Sequence, residues 1–274
     1  MERERIVDGV WVFRSRFAEM LSTLIDMGRG RAVLVDPPMF ADEAAGIQGF
    51  AQGEGLRIEY LVVTHAHGDH AYGTAHFPET PIIAHTGFWE FWREVEAADR
   101  GFFSRFLPGY EPPRVRPPNF LLADGSRIVF GRELVLRHVP GHSPDGILLE
   151  IPGEGIWIAG DTVIPVPLIS SGSLRDLRET LRGLLEAFPG GILVPGHGGV
   201  LRGDAAREAI AANLEYLRRL EEAVERAITA GMGLGELLSS PLDRLGLTAG
   251  RPDAVELWIH RENLKRAYAE LSGR

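Results

Sequence analysis

The stretch Tyr60-Leu61-Val62-Val63-Thr64-His65-Ala66-His67-Gly68-Asp69-His70 decides the reading of this chain. Its first part is an apolar run, which predicts a buried strand from about Ile58 to Thr64. Its second part is a His-x-His-x-Asp-His cluster placed where that strand stops. Packing does not account for four potential metal ligands within six residues. Side chains alternate along extended backbone, so His65 and His67 project the same way. Asp69 and His70 fall in the following turn and face a second point in space. That layout suits two metal ions side by side.

Three further segments end an apolar run with a ligand-type residue held by glycine. They are Val139-Pro140-Gly141-His142-Ser143, Ile156-Trp157-Ile158-Ala159-Gly160-Asp161-Thr162 and Ile192-Leu193-Val194-Pro195-Gly196-His197-Gly198. Glycine lets backbone approach a crowded centre and take strained turns. The set amounts to five histidines and two aspartates in loops at strand ends.

Around these motifs the first half alternates strand and helix. Residues 21–27 and 31–35 read as a hairpin around Gly28-Arg29-Gly30, a helix covers 42–52, and Pro81-Ile82-Ile83-Ala84 is a short buried strand. Residues 126–139 form a second hairpin around Gly131, 146–151 pairs with 155–159, and a helix over 173–187 precedes the strand Ile192-Leu193-Val194. Beyond Gly203, Ile210, Leu214, Leu217, Val224 and Ile228 recur at helical spacing, with Asp204 as N-cap and Gly231 as the stop. A last helix covers Pro252 to about Leu271. No repeat or clear linker appears. The expected organisation is therefore a core over 1–203, with an aromatic insertion at about 86–119, and C-terminal helices over 204–274 packed on the same domain.

Composition excludes several classes. The chain has 274 residues, enough to bury a substantial core, and a formal net charge of -9. Neither nucleic acid nor an anionic membrane binds such a surface without a basic patch, and the basic clusters are pairs such as Arg218-Arg219. There is no cysteine, which removes disulfides, thiolate nucleophiles and thiolate metal ligands. No run reaches the length of a membrane span and the start has no apolar leader pattern, so a cytoplasmic location is the expectation.

With these motifs in order, the chain resembles the metallo-β-lactamase superfamily over roughly residues 20–200, including the final Pro-Gly-His. The resemblance implies an α/β (α+β) fold: a four-layer αβ/βα sandwich of two mixed sheets flanked by helices, here with a helical C-terminal layer. It implies that His65, His67 and His142 hold a first metal, that Asp69, His70 and His197 hold a second, and that Asp161 bridges both. Asp36 would stand behind the site and orient a ligand histidine. Nitrogen and carboxylate donors suit two divalent ions, zinc first, with manganese or iron as alternatives. A hydroxide shared by the two ions would be the nucleophile, its pKa lowered from about 15.7 to roughly 7. Asp69 would also act catalytically by carrying a proton to the leaving group.

Within the superfamily, a bridging aspartate without cysteine points away from true β-lactamases, and His67 separates the chain from flavodiiron proteins, which carry glutamate there. Thr162-Val163-Ile164-Pro165-Val166-Pro167-Leu168 and Gly198-Gly199 replace the glutathione contacts usual in glyoxalase II, and no tyrosine of the lactonase kind follows Asp161. The expected activity is hydrolysis of an ester, thioester or lactone bond in a small, partly apolar molecule. The alternatives are a persulfide dioxygenase-like oxidoreductase with one iron, or a phosphodiesterase. A small-molecule substrate is the expected partner, with no nucleic acid and no membrane, and a homodimer is left open.

Specificity should lie in the variable segments. Phe88, Trp89, Phe91, Trp92, Phe102, Phe103, Phe106 and Tyr110 form either a lid over an apolar pocket or a packing element or interface; Phe88, Trp92 and Val95 fall at helical spacing, which favours packing. The apolar stretch Ile164 to Ile169 directly follows a ligand and is the stronger pocket candidate. His76, His85 and His138 match no ligand motif. His260, with Arg261 and Lys265, reads as a polar helix face near the site mouth. Asn213 and Tyr216 are expected to tie their helix to the sheet edge.

Overall fold

Alternation of buried side chains writes the layer order into single strands. In Arg31–Val35, Ala32 and Leu34 enter one apolar cluster while Val33 and Val35 enter another. In Ile156–Gly160, Ile156 and Ile158 join Val33 and Val35, whereas Trp157 and Ala159 face a third cluster. Both strands are buried on two faces, as a sheet covered by another sheet and by helices requires.

The computed structural model describes residues 1–169, 171–248 and 252–273. The first sheet runs in the order of its strands: β1 (Glu2–Val7), β2 (Val10–Arg14), β3 (Leu21–Gly28), β4 (Arg31–Val35), β5 (Arg57–Val62), β6 (Ile82–His85) and β7 (Phe120–Leu122). β1 to β4 are antiparallel neighbours, and β4 to β7 are parallel. Helix α1 (Ala41–Gly53) connects β4 to β5, the short α2 (Gly68–Ala71) follows β5, and α3 (Phe88–Phe106) follows β6. The second sheet comprises β8 (Arg127–Val129), β9 (Glu133–His138), β10 (Ile147–Ile151), β11 (Ile156–Gly160), β12 (Ile192–Pro195) and β13 (Leu201–Arg202), with β11 and β12 parallel. Its outer face carries α4 (Leu174–Ala187), α5 (Asp204–Thr229), α6 (Leu234–Ser239) and α7 (Ala254–Ser272). The result is the expected sandwich of two mixed sheets between helical layers. No helix among the described residues is long and apolar enough to cross a membrane.

Some boundaries differ from the sequence reading. β5 ends at Val62, so Thr64 to His67 form a loop whose close contacts replace strand pairing. Asp204 is the first residue of α5 and Gly203, at φ +53°, is its cap. The hairpin β1–β2 carries no clean alternation at its charged edge, Glu2 to Arg5, and α6 is too short to show a period. α3 buries Phe88, Phe91, Trp92, Val95 and Phe103 against the first sheet, so those rings pack the core.

The parallel pairs decide where chemistry can occur. β4, β5, β11 and β12 all end at one edge of the sandwich, and β9 runs the same way. The two sheets are tied there by backbone bonds, Ile147 N–H to the Thr64 carbonyl (2.9 Å) and Leu21 N–H to the Gly196 carbonyl (2.8 Å).

Candidate metal centre

Asp36, the His65–His70 segment, His142, Asp161 and His197 follow β4, β5, β9, β11 and β12 and meet at that shared edge. His65 Nε2, His67 Nδ1 and His142 Nε2 lie 2.9–3.2 Å from one another. Four tetrahedral donors about 2.0–2.1 Å from one zinc ion would stand roughly 3.3 Å apart, so this spacing fits a single cation at their centre. Asp69 Oδ2 is 3.2 Å from His197 Nε2 and 3.9 Å from His70 Nε2. Asp161 reaches both sets: Oδ2 is 3.5 Å from His142 Nε2, 3.9 Å from His65 Nε2 and 3.5 Å from His197 Nε2, and Oδ1 is 3.2 Å from His70 Nε2. A Cβ at Gly196 would sit 1.8 Å from Asp161 Oδ1, so only glycine lets the Pro195-Gly196-His197 turn approach this carboxylate.

Every histidine turns one nitrogen inward because the other is held. His65 Nδ1–H donates to Thr64 Oγ1 (3.1 Å), whose hydroxyl donates to Asp36 Oδ2 (2.7 Å). His70 Nδ1–H donates to the same Asp36 Oδ2 at 2.8 Å. His142 Nδ1–H donates to the Leu168 carbonyl (2.8 Å) and His197 Nδ1–H to the Ala18 carbonyl (2.8 Å). His67 is reversed, with Nε2–H on Ser171 Oγ at 3.1 Å and Nδ1 facing inward. Such partners fix tautomer and ring plane in metal-binding histidines.

Electrostatics divides the centre. Burial, reinforced by His142, pushes His67 down to about 3; burial and the neighbouring His70 hold His65 well below its usual range. Both are therefore neutral and able to ligate. On the other side burial disfavours imidazolium, but Asp161 and Asp69 outweigh it and raise His197 to about 10. Burial likewise opposes the charged form of Asp69, and His70 with His197 overcomes it, leaving the carboxyl at about 2. Positive charge is thus drawn to the space between Asp69, Asp161, His70 and His197, the place a second cation would fill. His70 Nε2 and Asp161 Oδ1 are buried there without an aligned hydrogen bond, so the donors present fit a metal.

Access is from this second side. The Asp69 and His197 side chains are 15% and 14% exposed, whereas His65 is 2% exposed. Three residues beyond the motifs also hold the centre. Ser171 carries His67; Asp99 on α3 accepts the Gly68 N–H at 2.7 Å; Asn213 on α5 bonds both the N–H and the carbonyl of Ile164. Asn213 therefore ties its helix to the loop that follows Asp161 at the end of β11. Burial, with Asp69 nearby, pushes Asp99 up to about 7. His260 is buried and its Nδ1 pairs with the Tyr216 hydroxyl (2.9 Å), because α7 turns that residue toward α5 and away from solvent. His76 and His138 donate to backbone carbonyls, and His85 stacks on His138.

A model described as the metallo-beta-lactamase superfamily matches residues 21–224. The chain is 29% identical over 212 residues to an acyl-coenzyme A thioesterase MBLAC2 of Gallus gallus, covering 69% of this chain and 71% of that one. It is 25% identical over 253 residues to a hydroxyacylglutathione hydrolase of Fuscovulum blasticum, covering 87% and 90%. Among solved structures, a beta-lactamase domain protein from Burkholderia ambifaria superposes with a TM-score of 0.73 at 20% identity, over 99% of this chain and 88% of the other.

Proposed function

The chain belongs to the metallo-beta-lactamase superfamily, and on that footing we propose that it is a binuclear metallo-hydrolase that cleaves an acyl bond, foremost a thioester, in a small and partly apolar substrate. One observation carries the reading: seven buried or half-buried donors form two sets joined by Asp161, each histidine with its second nitrogen already engaged. His65, His67 and His142 would hold one zinc ion, Asp69, His70 and His197 the other, and Asp161 both. When bound, such cations polarise the acyl carbonyl and make water acidic enough to attack near neutral pH.

The remaining work falls to the chain. Asp69, a carboxylate at the open side of the centre, would take the proton of the attacking water and pass it to the leaving atom. Burial keeps bulk water from His65, His70 and His142, which keeps the electrostatics of the centre strong. Acyl-coenzyme A and hydroxyacylglutathione, named for the relatives, both carry an acyl group on sulfur; a thiolate leaves more readily than an alkoxide, which suits a site with one half-buried carboxylate at its open side.

The test pairs metal content with a panel of thioesters, esters and lactones. His67→Ala and Asp161→Ala should lose metal and nearly all hydrolysis while keeping wild-type far-UV circular dichroism. Full hydrolysis by either purified variant ends the proposal. One iron per chain, with oxygen consumption on persulfides, would replace it with the dioxygenase alternative.

A further inference from the structure

The outward nitrogens of the five histidines are not held by the same part of the molecule. His65 and His70 lean on Asp36 after β4, and His197 leans on Ala18 in the β2–β3 loop. His67 and His142 lean on Ser171 and on the Leu168 carbonyl, both in the segment that joins β11 to α4. Among its described residues that segment has no strand or helix of its own to fix it.

Asn213 of α5 holds the segment's start at Ile164, and α7 holds the part next to the histidine partners. Asn263 accepts the Ile169 N–H at 2.9 Å and donates to the Pro167 carbonyl at 2.6 Å, bracketing Leu168 from both sides. Its amide also donates to the Tyr216 hydroxyl of α5 (3.0 Å), which meets His260 one turn earlier on α7. Two turns further along, Glu270 accepts the backbone N–H groups of Leu174 (3.0 Å) and Arg175 (3.1 Å), at the start of α4. His260, Asn263, Ala267 and Glu270 share one face by helical spacing, and α7 thus grips the segment on both sides of Ser171. A third contact closes the loop: Ser173 N–H donates to the Gly141 carbonyl (2.9 Å), next to His142. Asn263 is fully buried and each of its polar atoms is engaged, so removing it strips two backbone groups of partners.

We infer that Asn263 is a positioning residue for the three-histidine metal set alone, so that α7 governs the affinity of one metal of the pair and leaves the other to the first half of the chain. This rests on the binuclear reading above. Asn263 touches no ligand; it acts through Leu168 on His142 and through the same segment, by way of Ser171, on His67.

The experiment strips the full-length protein of metal and titrates it with zinc against a chromophoric chelator, and with cobalt followed by its visible absorption. Wild type should take up two ions. Asn263→Ala should weaken one of them by about tenfold or more and leave the other within about twofold, the range seen when a partner of a ligating histidine is lost. The same substitution in a His142→Ala background should add little, because the set it supports is already broken. Tyr216→Phe removes one hydroxyl from the outer end of the network and should weaken the same ion by a smaller factor; it keeps the question answerable if Asn263→Ala does not fold. Equal weakening of both ions, or of neither, overturns the inference while the binuclear reading stands. Uptake of a single ion by wild type overturns both.

Discussion

Asp36→Asn isolates how much of the centre depends on proton placement. Asp36 is 2% exposed and gathers three donors on two oxygens: Thr64 N–H on Oδ1 at 2.7 Å, and on Oδ2 the Thr64 hydroxyl (2.7 Å) and His70 Nδ1–H (2.8 Å). Its φ of +50° lies in the left-handed region, which asparagine tolerates as well as aspartate, so the backbone has no reason to move. The amide keeps one acceptor oxygen. If its NH2 takes the place of Oδ2, the threonine hydroxyl can turn, but His70 must shift its proton to Nε2, the nitrogen facing Asp69 and Asp161. If the amide flips, its NH2 meets the Thr64 N–H and leaves a buried donor unpaired. Either arrangement costs about 1–3 kcal/mol, against the roughly 5–15 kcal/mol that holds a domain together, so the fold persists. Affinity for the ion at His70 should fall by about 10- to 100-fold. Chelator-competed zinc titration of wild type and variant, with thermal melts alongside, measures both. The expected result is a weakened second equivalent with a midpoint lowered by about 2–4 °C per kcal/mol lost. Two equivalents bound at wild-type affinity would refute the reasoning, because the His70 tautomer would then not matter.

Other perturbations read other parts of the structure. Gly172→Ala would place a Cβ 1.8 Å from the Gly141 carbonyl and 2.6 Å from that of His142, backbone on both counts; it should destabilise by about 1–3 kcal/mol or more in urea melts and lower activity through His142. Gly183→Ala, exposed in mid-α4 with nothing within 4 Å of the new methyl, should instead stabilise by about 0.5–1 kcal/mol. Asp99 sits at about 7 in the fold, against 3.8 for a free side chain, through burial and the Asp69 charge. The unfolded chain releases that proton first, so the contribution of Asp99 to stability falls as pH rises from about 4 to about 7 and then levels, by at most about 4 kcal/mol. Asp99→Asn still accepts the Gly68 N–H and should melt above wild type at pH 8 and close to it at pH 4; identical melts at both values would show that Asp99 is not held high.

The readings that succeeded and those that failed separate by physical cause. The convergence of donors was legible because a strand end followed by His, Asp or Gly-His presents the donor from the residue itself: His65, His67, His142, Asp161 and His197 come together where β5, β9, β11 and β12 end. Asp36 was legible as the residue that closes a strand, and as an acceptor for a histidine only through the family resemblance. The Ala18 and Leu168 carbonyls were not, since a backbone oxygen has no sequence signature and its direction depends on tertiary contact. Ser171 was hidden in a Ser-Gly-Ser run that reads as helix capping, which Ser173 indeed performs. Asp99 falls on an amphipathic helix where an acid reads as solvent-facing, and only the approach of α3 to the Gly68 turn buries it.

The aromatic insertion shows why substrate is harder to read than chemistry. Helical spacing placed Phe88, Trp92 and Val95 in the core, and they are there. Phe102 has the same local pattern, yet its ring lies 4.8 Å from Trp258 on α7 and 6.3 Å from Phe17 in the β2–β3 loop. Phe17 adjoins Ala18, which holds His197, and Trp258 lies in the same helix as Asn263. The rings thus join three segments far apart in sequence; the β2–β3 loop holds His197 through Ala18, and α7 braces the segment whose Leu168 carbonyl holds His142. A change at any of these rings would therefore act on segments that support the candidate centre. Donor residues can be read one strand at a time, whereas a ring cluster of this kind exists only after α3, α7 and the β2–β3 loop have met.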